Sequence, residues 1–177
     1  VWADQITSEN VDSWLNGYPI PNHSSAKSIL LILAGNLPMV GWHDFICCYL
    51  LGFKVKIKLS KSDDVIIPFM IKILSLFSID LMKETEIVNG KAKDYDMVIA
   101  TGSNNTNRYF EYYFGKTPHL FRKNRTSVAI IDNQTTEDDL NNLSKDVFDY
   151  FGLGCRSVTK LYIEKGFDIN SIFKSFY

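Results

Sequence analysis

The side chain best suited to nucleophilic chemistry is Cys155, which follows Gly152-Leu153-Gly154 and precedes Arg156. Glycines let a bound molecule come close to the backbone. A neighbouring guanidinium favours the thiolate, which is the nucleophilic form of cysteine. The same pattern also fits a small residue buried at a turn. Cys47 and Cys48 lie among aromatic and aliphatic residues of a helical stretch and read as core. Asn36, in Ala34-Gly35-Asn36-Leu37-Pro38 at the end of an apolar run, can aim its amide into a cleft as an oxyanion donor, or can simply shape a strand-to-helix turn.

A second group of residues has the chemistry of nucleotide binding. Thr101-Gly102-Ser103 follows a buried strand and opens a helix, where backbone N–H groups and a hydroxyl can meet a pyrophosphate. Ordinary capping by Ser103 or Asn104 explains the same residues, and no GxGxxG fingerprint is present. Lys58, Ser60 and Lys61 end another strand and can hold a ribose and its phosphate, or form a solvated basic strand end. Arg122, Lys123 and Arg125 are a basic cluster able to meet coenzyme A phosphates, or plain solvated surface. His43 and Asp44 are adjacent on a helix and do not face each other, so they are not read as a dyad.

These residues need elements to place them. Apolar runs predict strands at 28–34, 53–59, 84–88, 97–100, 127–131 and 159–163, and apolar residues at the end of the chain suggest one more at 173–177. Helices are predicted at 40–51, with Gly52 as its stop, at 65–77, with Asp63 and Asp64 charging its start, and at 106–114 and 137–151. Pro19 and Pro21 break any helix in residues 1–27, Asn22–Ser25 is a polar loop, and 152–155 is a tight turn. Strands alternating with helices predict an α/β fold, a Rossmann-like, mainly parallel sheet with helices on both faces. Ligands of such sheets bind outside the carboxyl ends of the strands, where these candidates cluster. The organisation expected is a lead-in at 1–27, a nucleotide-binding domain at 28–151, and a nucleophile turn opening a catalytic domain at 152–177.

The 177 residues suit one domain, and their net charge of −1 argues against nucleic acid as a main partner. Three cysteines without metal-type spacing argue against a zinc site or disulfide scaffold and suggest a reducing, cytoplasmic setting. Apolar stretches are too short for a membrane span. The chain starts at Val1 without a Met, which suggests a piece of a longer protein. A homo-oligomer is left open.

Four segments, in order, resemble the LuxC-type acyl-CoA reductases of the aldehyde dehydrogenase superfamily: Ala34–Phe45 (AGNLPMVGWHDF), Ile99–Thr106 (IATGSNNT), Arg122–Ser127 (RKNRTS) and Phe151–Arg156 (FGLGCR). The resemblance runs over roughly residues 28–163 and implies an aldehyde-dehydrogenase-like fold and NADPH-dependent reduction of an acyl-CoA to an aldehyde. It implies Cys155 as nucleophile, Asn36 as oxyanion donor and Lys58 on the adenosine ribose. Gly102 and Ser103 would lie under the pyrophosphate, with Thr101 near the nicotinamide. The aldehyde dehydrogenases carry a general-base Glu upstream of their cysteine; the matching Phe121-Arg122-Lys123-Asn124 has none, as suits a thioester broken by hydride and not by water. His119, nearby, is a candidate acid or base. Lys61 stands where NAD-preferring relatives often place a Glu, and a lysine suits a 2′-phosphate. The rival reading is a non-catalytic nucleotide- or acyl-binding domain of the same fold.

Overall fold

Ser28–Ile32 (β1) is apolar on both faces, as a central strand of a parallel sheet must be. The computed structural model describes residues 4–19 and 27–177, in two units, Val1–Lys123 and Asn124–Tyr177. In the first, β1 pairs in parallel with Lys54–Lys58 (β2) on one side and Met97–Thr101 (β4) on the other. Thr85–Ile87 (β3) lies outside β2, and His119–Arg122 (β5) outside β4, giving the order β3-β2-β1-β4-β5 with every pairing parallel.

Two helical layers cover this sheet. Trp42–Leu50 (α2), Ile66–Ser75 (α3) and Ile79–Glu84 (α4) bury Phe45, Cys48, Ile67, Ile71 and Leu81 against Ile29, Leu31, Val55 and Ile57. Asn104–Phe114 (α5) buries Phe110 against Leu30, Val98 and Ala100 on the opposite face. Period-two alternation sends neighbouring residues of one strand to different layers. Gly52, with φ of 79°, ends α2 as expected.

The second unit contains Ser127–Ile131 (β6) and Val158–Ile163 (β7), a parallel pair, with Glu137–Phe148 (α6) and Ile169–Phe176 (α7). Ile131, Leu140 and Ile172 form its core. A reciprocal box between Thr136 and Asp139 starts α6; the hydrogen bonds from Thr136 hold the Asp139 carboxyl below its ordinary value. Thus β6 and α6, which the sequence grouped with the nucleotide-binding domain, pack with β7 and α7.

Several expectations need correction. Ser8–Leu15 (α1) is helical within the lead-in: Pro19 lies past its end, and Thr7 Oγ1 caps it by accepting from Asn10 N–H. The Asn22–Ser25 loop lies outside the described residues. Residues 173–177 are not a strand but the end of α7, whose residues Ile169, Ile172, Phe173 and Phe176 recur at helical spacing behind an Asp168 cap. The helix expected at 137–151 stops at Phe148, and Tyr150 and Phe151 follow with left-handed φ of 57°. β5 went unseen because His119 and Leu120 are both exposed on an edge strand, so no alternation marks it.

Phe45 is fully buried at the centre of the larger core and fixes α2, hence the loop before it. Phe45→Ala is expected to lower unfolding free energy by about 3–5 kcal/mol in urea titrations. A loss under about 1 kcal/mol would mean that α2 is not anchored through this ring.

Candidate nucleotide crevice

The strand order reverses between β1 and β4: the chain leaves β1 toward β2, and later returns to place β4 on the other side. In open parallel sheets the usual ligand position is at such a divergence, outside the carboxyl ends of the two strands, whereas the cavities of this structure lie at the amino ends of β1 and β2, lined by Ser28, Lys54 and Thr85, and in the second unit beside Leu140 and Phe167. The loop carrying Asn36 leaves the end of β1, and Thr101-Gly102-Ser103 leaves the end of β4. The sheet therefore brings Asn36, Thr101, Gly102 and Ser103 to one edge. Lys58, Ser60 and Lys61 follow at the end of β2, next in the sheet.

The Asn36 loop is clamped to the loop after β2. Gly35 approaches Ser60 so closely that a Cβ at Gly35 would overlap the serine side chain. Asp63, 8% exposed, accepts a hydrogen bond from Met39 N–H at 2.8 Å, and Met39 itself has φ of 60°. This replaces the capping role expected of Asp63: α3 starts only at Ile66, and its cap residue Val65 makes no side-chain cap bond. An aspartate two residues after a lysine looked like a helix start, and nothing local showed that its partner was Met39.

At the end of β4, Ser103 does cap α5, with its Oγ accepting from Thr106 N–H at 3.1 Å. The N–H groups of Asn104 and Asn105, in the first turn, have no acceptor within the helix, so the anion-binding reading survives alongside the capping one. Asn107, 2% exposed, was not anticipated. Its Nδ2 lies within 3.3–3.5 Å of the carbonyl oxygens of Gly102, Ser103 and Arg122, tying α5 to the ends of β4 and β5. Its Oδ1 is buried without a protein partner.

The basic residues divide. Lys58 Nζ donates to Gly90 O at 2.5 Å, and Lys61 is exposed. Ser60 Oγ accepts from Ser62 N–H at 3.3 Å. Arg122 is not simply solvated: its guanidinium meets the Asp44 carboxylate at 2.8 Å. Only the Asp44 side of this pair is buried, so losing Arg122 would cost a buried carboxylate its close partner. Lys123 and Arg125 are exposed. His119 stands at the opposite end of β5 from the carboxyl edge, stacked on Phe121 with 4.0 Å between centroids, and donates from Nδ1 to Thr117 O. That placement removes it as an acid or base at this edge.

A cation-rich strand edge with free helix N–H groups suits a polyanionic nucleotide. No family model matches the sequence, and no curated protein matches it. Solved structures do match. An aldehyde dehydrogenase from Bartonella henselae aligns over 84% of this chain and 34% of its own, at 18% identity and a TM-score of 0.66. A glyceraldehyde-3-phosphate dehydrogenase from Methanocaldococcus jannaschii, solved with NADP, aligns over 84% and 36%, at 15% identity and a TM-score of 0.72. An indole-3-acetaldehyde dehydrogenase from P. syringae, solved with NAD+, aligns over 85% and 34%, at 13% identity and a TM-score of 0.68. The fold is that of the aldehyde dehydrogenases. The chain spans about a third of the length of these aldehyde dehydrogenases. Among the described residues no helix is long and apolar enough to cross a membrane, and no cluster could hold a metal ion.

In the second unit of this aldehyde-dehydrogenase fold, Cys155 is exposed in a turn closed by Ser157 N–H donating to Gly154 O at 3.1 Å. The turn is thus 154–157, two residues later than expected, and the buried-residue alternative for Cys155 fails. Of the α2 cysteines, Cys48 is core as read, whereas Cys47 is only part-buried, against the His43 ring; burial and the nearby Asp44 carboxylate raise the Cys47 thiol, and push Cys48 up to about 12. Iodoacetamide near pH 8 is therefore expected to alkylate Cys155 first and Cys47 more slowly, leaving Cys48 unmodified until the protein unfolds. Peptide mapping against time checks the order, and early labelling of Cys48 would contradict it.

Proposed function

We propose that the protein reduces an acyl-CoA, or another acyl thioester, to the aldehyde, with Cys155 as nucleophile, Asn36 as an oxyanion donor and NADPH as cofactor. The observation that carries this reading is that the loops after β1 and β4 diverge at the carboxyl edge of the sheet. Asn36 and Thr101-Gly102-Ser103 end adjacent parallel strands in a fold shared with dehydrogenases solved with NAD+ and NADP. The four family-like segments support the finer chemistry, as does the end of β5. There the family's relatives carry a water-activating Glu and this chain carries Phe121-Arg122-Lys123-Asn124.

In this mechanism the Cys155 thiolate attacks the carbonyl carbon of the acyl-CoA. The carbon–sulfur bond to coenzyme A breaks, the departing thiolate takes a proton from solvent, and the acyl group remains as a thioester on Cys155. A bound NADPH supplies the hydride that reduces this thioester. Asn36 Nδ2 is the proposed side-chain donor to the oxyanion, a contribution of about 3 kcal/mol per donor in comparable sites. Collapse of the second oxyanion releases the aldehyde and returns the thiolate. Lys58 takes the adenosine ribose with Ser60 beside it, Lys61 the 2′-phosphate, and the Gly102–Ser103 turn the pyrophosphate.

Incubation with an acyl-CoA in the absence of NADPH, followed by peptide mass mapping, tests the reading. An acyl adduct on Cys155, absent from Cys155→Ala, is expected. NADPH binding without any adduct would instead assign a binding module. Cofactor choice has its own check: Lys61→Glu is expected to reverse a preference for NADPH over NADH, because a carboxylate repels the 2′-phosphate yet accepts from a free ribose hydroxyl. Titrating both cofactors at two salt concentrations measures this, with the parent's preference narrowing at high salt. An unchanged ratio would leave Lys61 as a solvated strand end.

A further inference from the structure

The Asp44–Arg122 pair has no role in the reaction as proposed. Arg122 is the last residue of β5 and pairs in register with Thr101. Phe121 and Ala100 pack in the α5 layer, so alternation turns Arg122 and Thr101 together to the α2 side. Asp44 lies in the first turn of α2, which follows the β1 loop, while β5 and β1 are separated by β4. Strands stand about 4.8 Å apart, so the arginine reaches back across the end of β4 to find its partner. The guanidinium is thereby drawn toward the α2 side at the carboxyl end of β4, the strand that ends in Thr101.

The two partners are unequal. The Asp44 side chain is 7% exposed, whereas that of Arg122 is 41% exposed. Arg122 Nη2 lies 2.8 Å from Asp44 Oδ1, and His43 Nδ1 lies 3.8 Å from the same oxygen. A guanidinium carries more N–H donors than the Asp44 contact uses, in a fixed planar fork. The result is a cation aimed by a buried carboxylate, with donors still turned to solvent at the ligand edge.

We infer that Arg122 binds the phosphate on the nicotinamide side of the dinucleotide, with Asp44 as the positioning residue that aims it. This rests on the nucleotide reading above and deepens it. The residues divide the cofactor: Lys58 and Lys61, at the end of β2, serve the adenosine half, and Arg122, beside Thr101 at the far side of β4, serves the other. Charge-assisted hydrogen bonds of this kind are strong, and salt weakens them where they are partly exposed.

Titration of the protein with NADPH and with 2′,5′-ADP, which lacks the nicotinamide-side phosphate, separates the alternatives. Arg122→Met is expected to weaken NADPH about tenfold or more, to flatten the dependence of NADPH affinity on salt, and to leave 2′,5′-ADP affinity unchanged. Asp44→Asn is expected to give a smaller loss of the same kind, and Arg122→Lys to recover part of the affinity. Equal losses for both ligands in Arg122→Met would mean that the pair only braces the fold, and no loss for either would mean that Arg122 touches no phosphate; either result overturns the assignment. A parent protein that binds neither ligand would overturn the nucleotide reading itself, a failure distinct from an unaffected Arg122 variant.

Discussion

β1 is hydrogen-bonded in parallel on both edges, to β2 and to β4, and buried on both faces, with Ile29, Leu30 and Leu31 at 3% exposure or less. A parallel partner cannot be reached by a tight hairpin, so β2 arrives after α2, and β4 only after the chain has passed through α3, α4 and β3. One crossover lies on each face, α2 between β1 and β2 and α5 between β4 and β5. The loops at the carboxyl ends of β1 and β4 consequently turn away from each other. That divergence is a consequence of how the central strand is paired, and it needs no residue of its own.

The residues around that divergence are then fixed by a few directional contacts. Gly35 lets the β1 loop lie against Ser60, Asp63 holds Met39 N–H, Asn107 gathers the carbonyl oxygens of Gly102, Ser103 and Arg122, and Asp44 holds the Arg122 guanidinium. Each joins segments that are separate in the sheet or in the sequence. Buried charges of this kind contribute little net stability, because desolvation offsets attraction. Their value lies in orientation: a misplaced Asp63 would be left buried without its Met39 N–H, and Asp44 without its close guanidinium. Alongside them Lys58 and Lys61 remain accessible to a ligand at the end of β2, Lys58 resting on Gly90 O.

The parallel architecture was legible because its signal is local. Apolar runs such as Ile29–Leu33 and the alternation of Val55 and Ile57 with lysines identify strands without knowledge of their partners. The chemistry-bearing residues at strand ends followed from that, since the ends are where such sheets bind ligands. What escaped has non-local causes. Asp63 and Asp44 each look like ordinary helix-start acids, and their partners lie at Met39 and Arg122. β5 pairs with β4 over four residues that are partly exposed, so tertiary hydrogen bonding and not pattern makes it a strand. For α7 the helical spacing of Ile169, Ile172, Phe173 and Phe176 is present in the sequence, but a stretch as short as Phe173–Tyr177 fits a strand equally well. Cys155 was legible as a residue at a glycine turn, whereas the left-handed Tyr150 and Phe151 that lead into it were not, since such a conformation is uncommon outside glycine.

The central claim is that a dinucleotide lies at the switch between β1 and β4. Backbone amide shifts recorded by NMR as NADPH is added test it most directly, because they report position without needing turnover. The account predicts the largest changes at Asn36, at Lys58, Ser60 and Lys61, and from Thr101 to Asn105, with the amino ends of β1 and β2 unmoved. Saturable changes centred on those amino ends, near Ser28 and Lys54, or no changes at all, would contradict it.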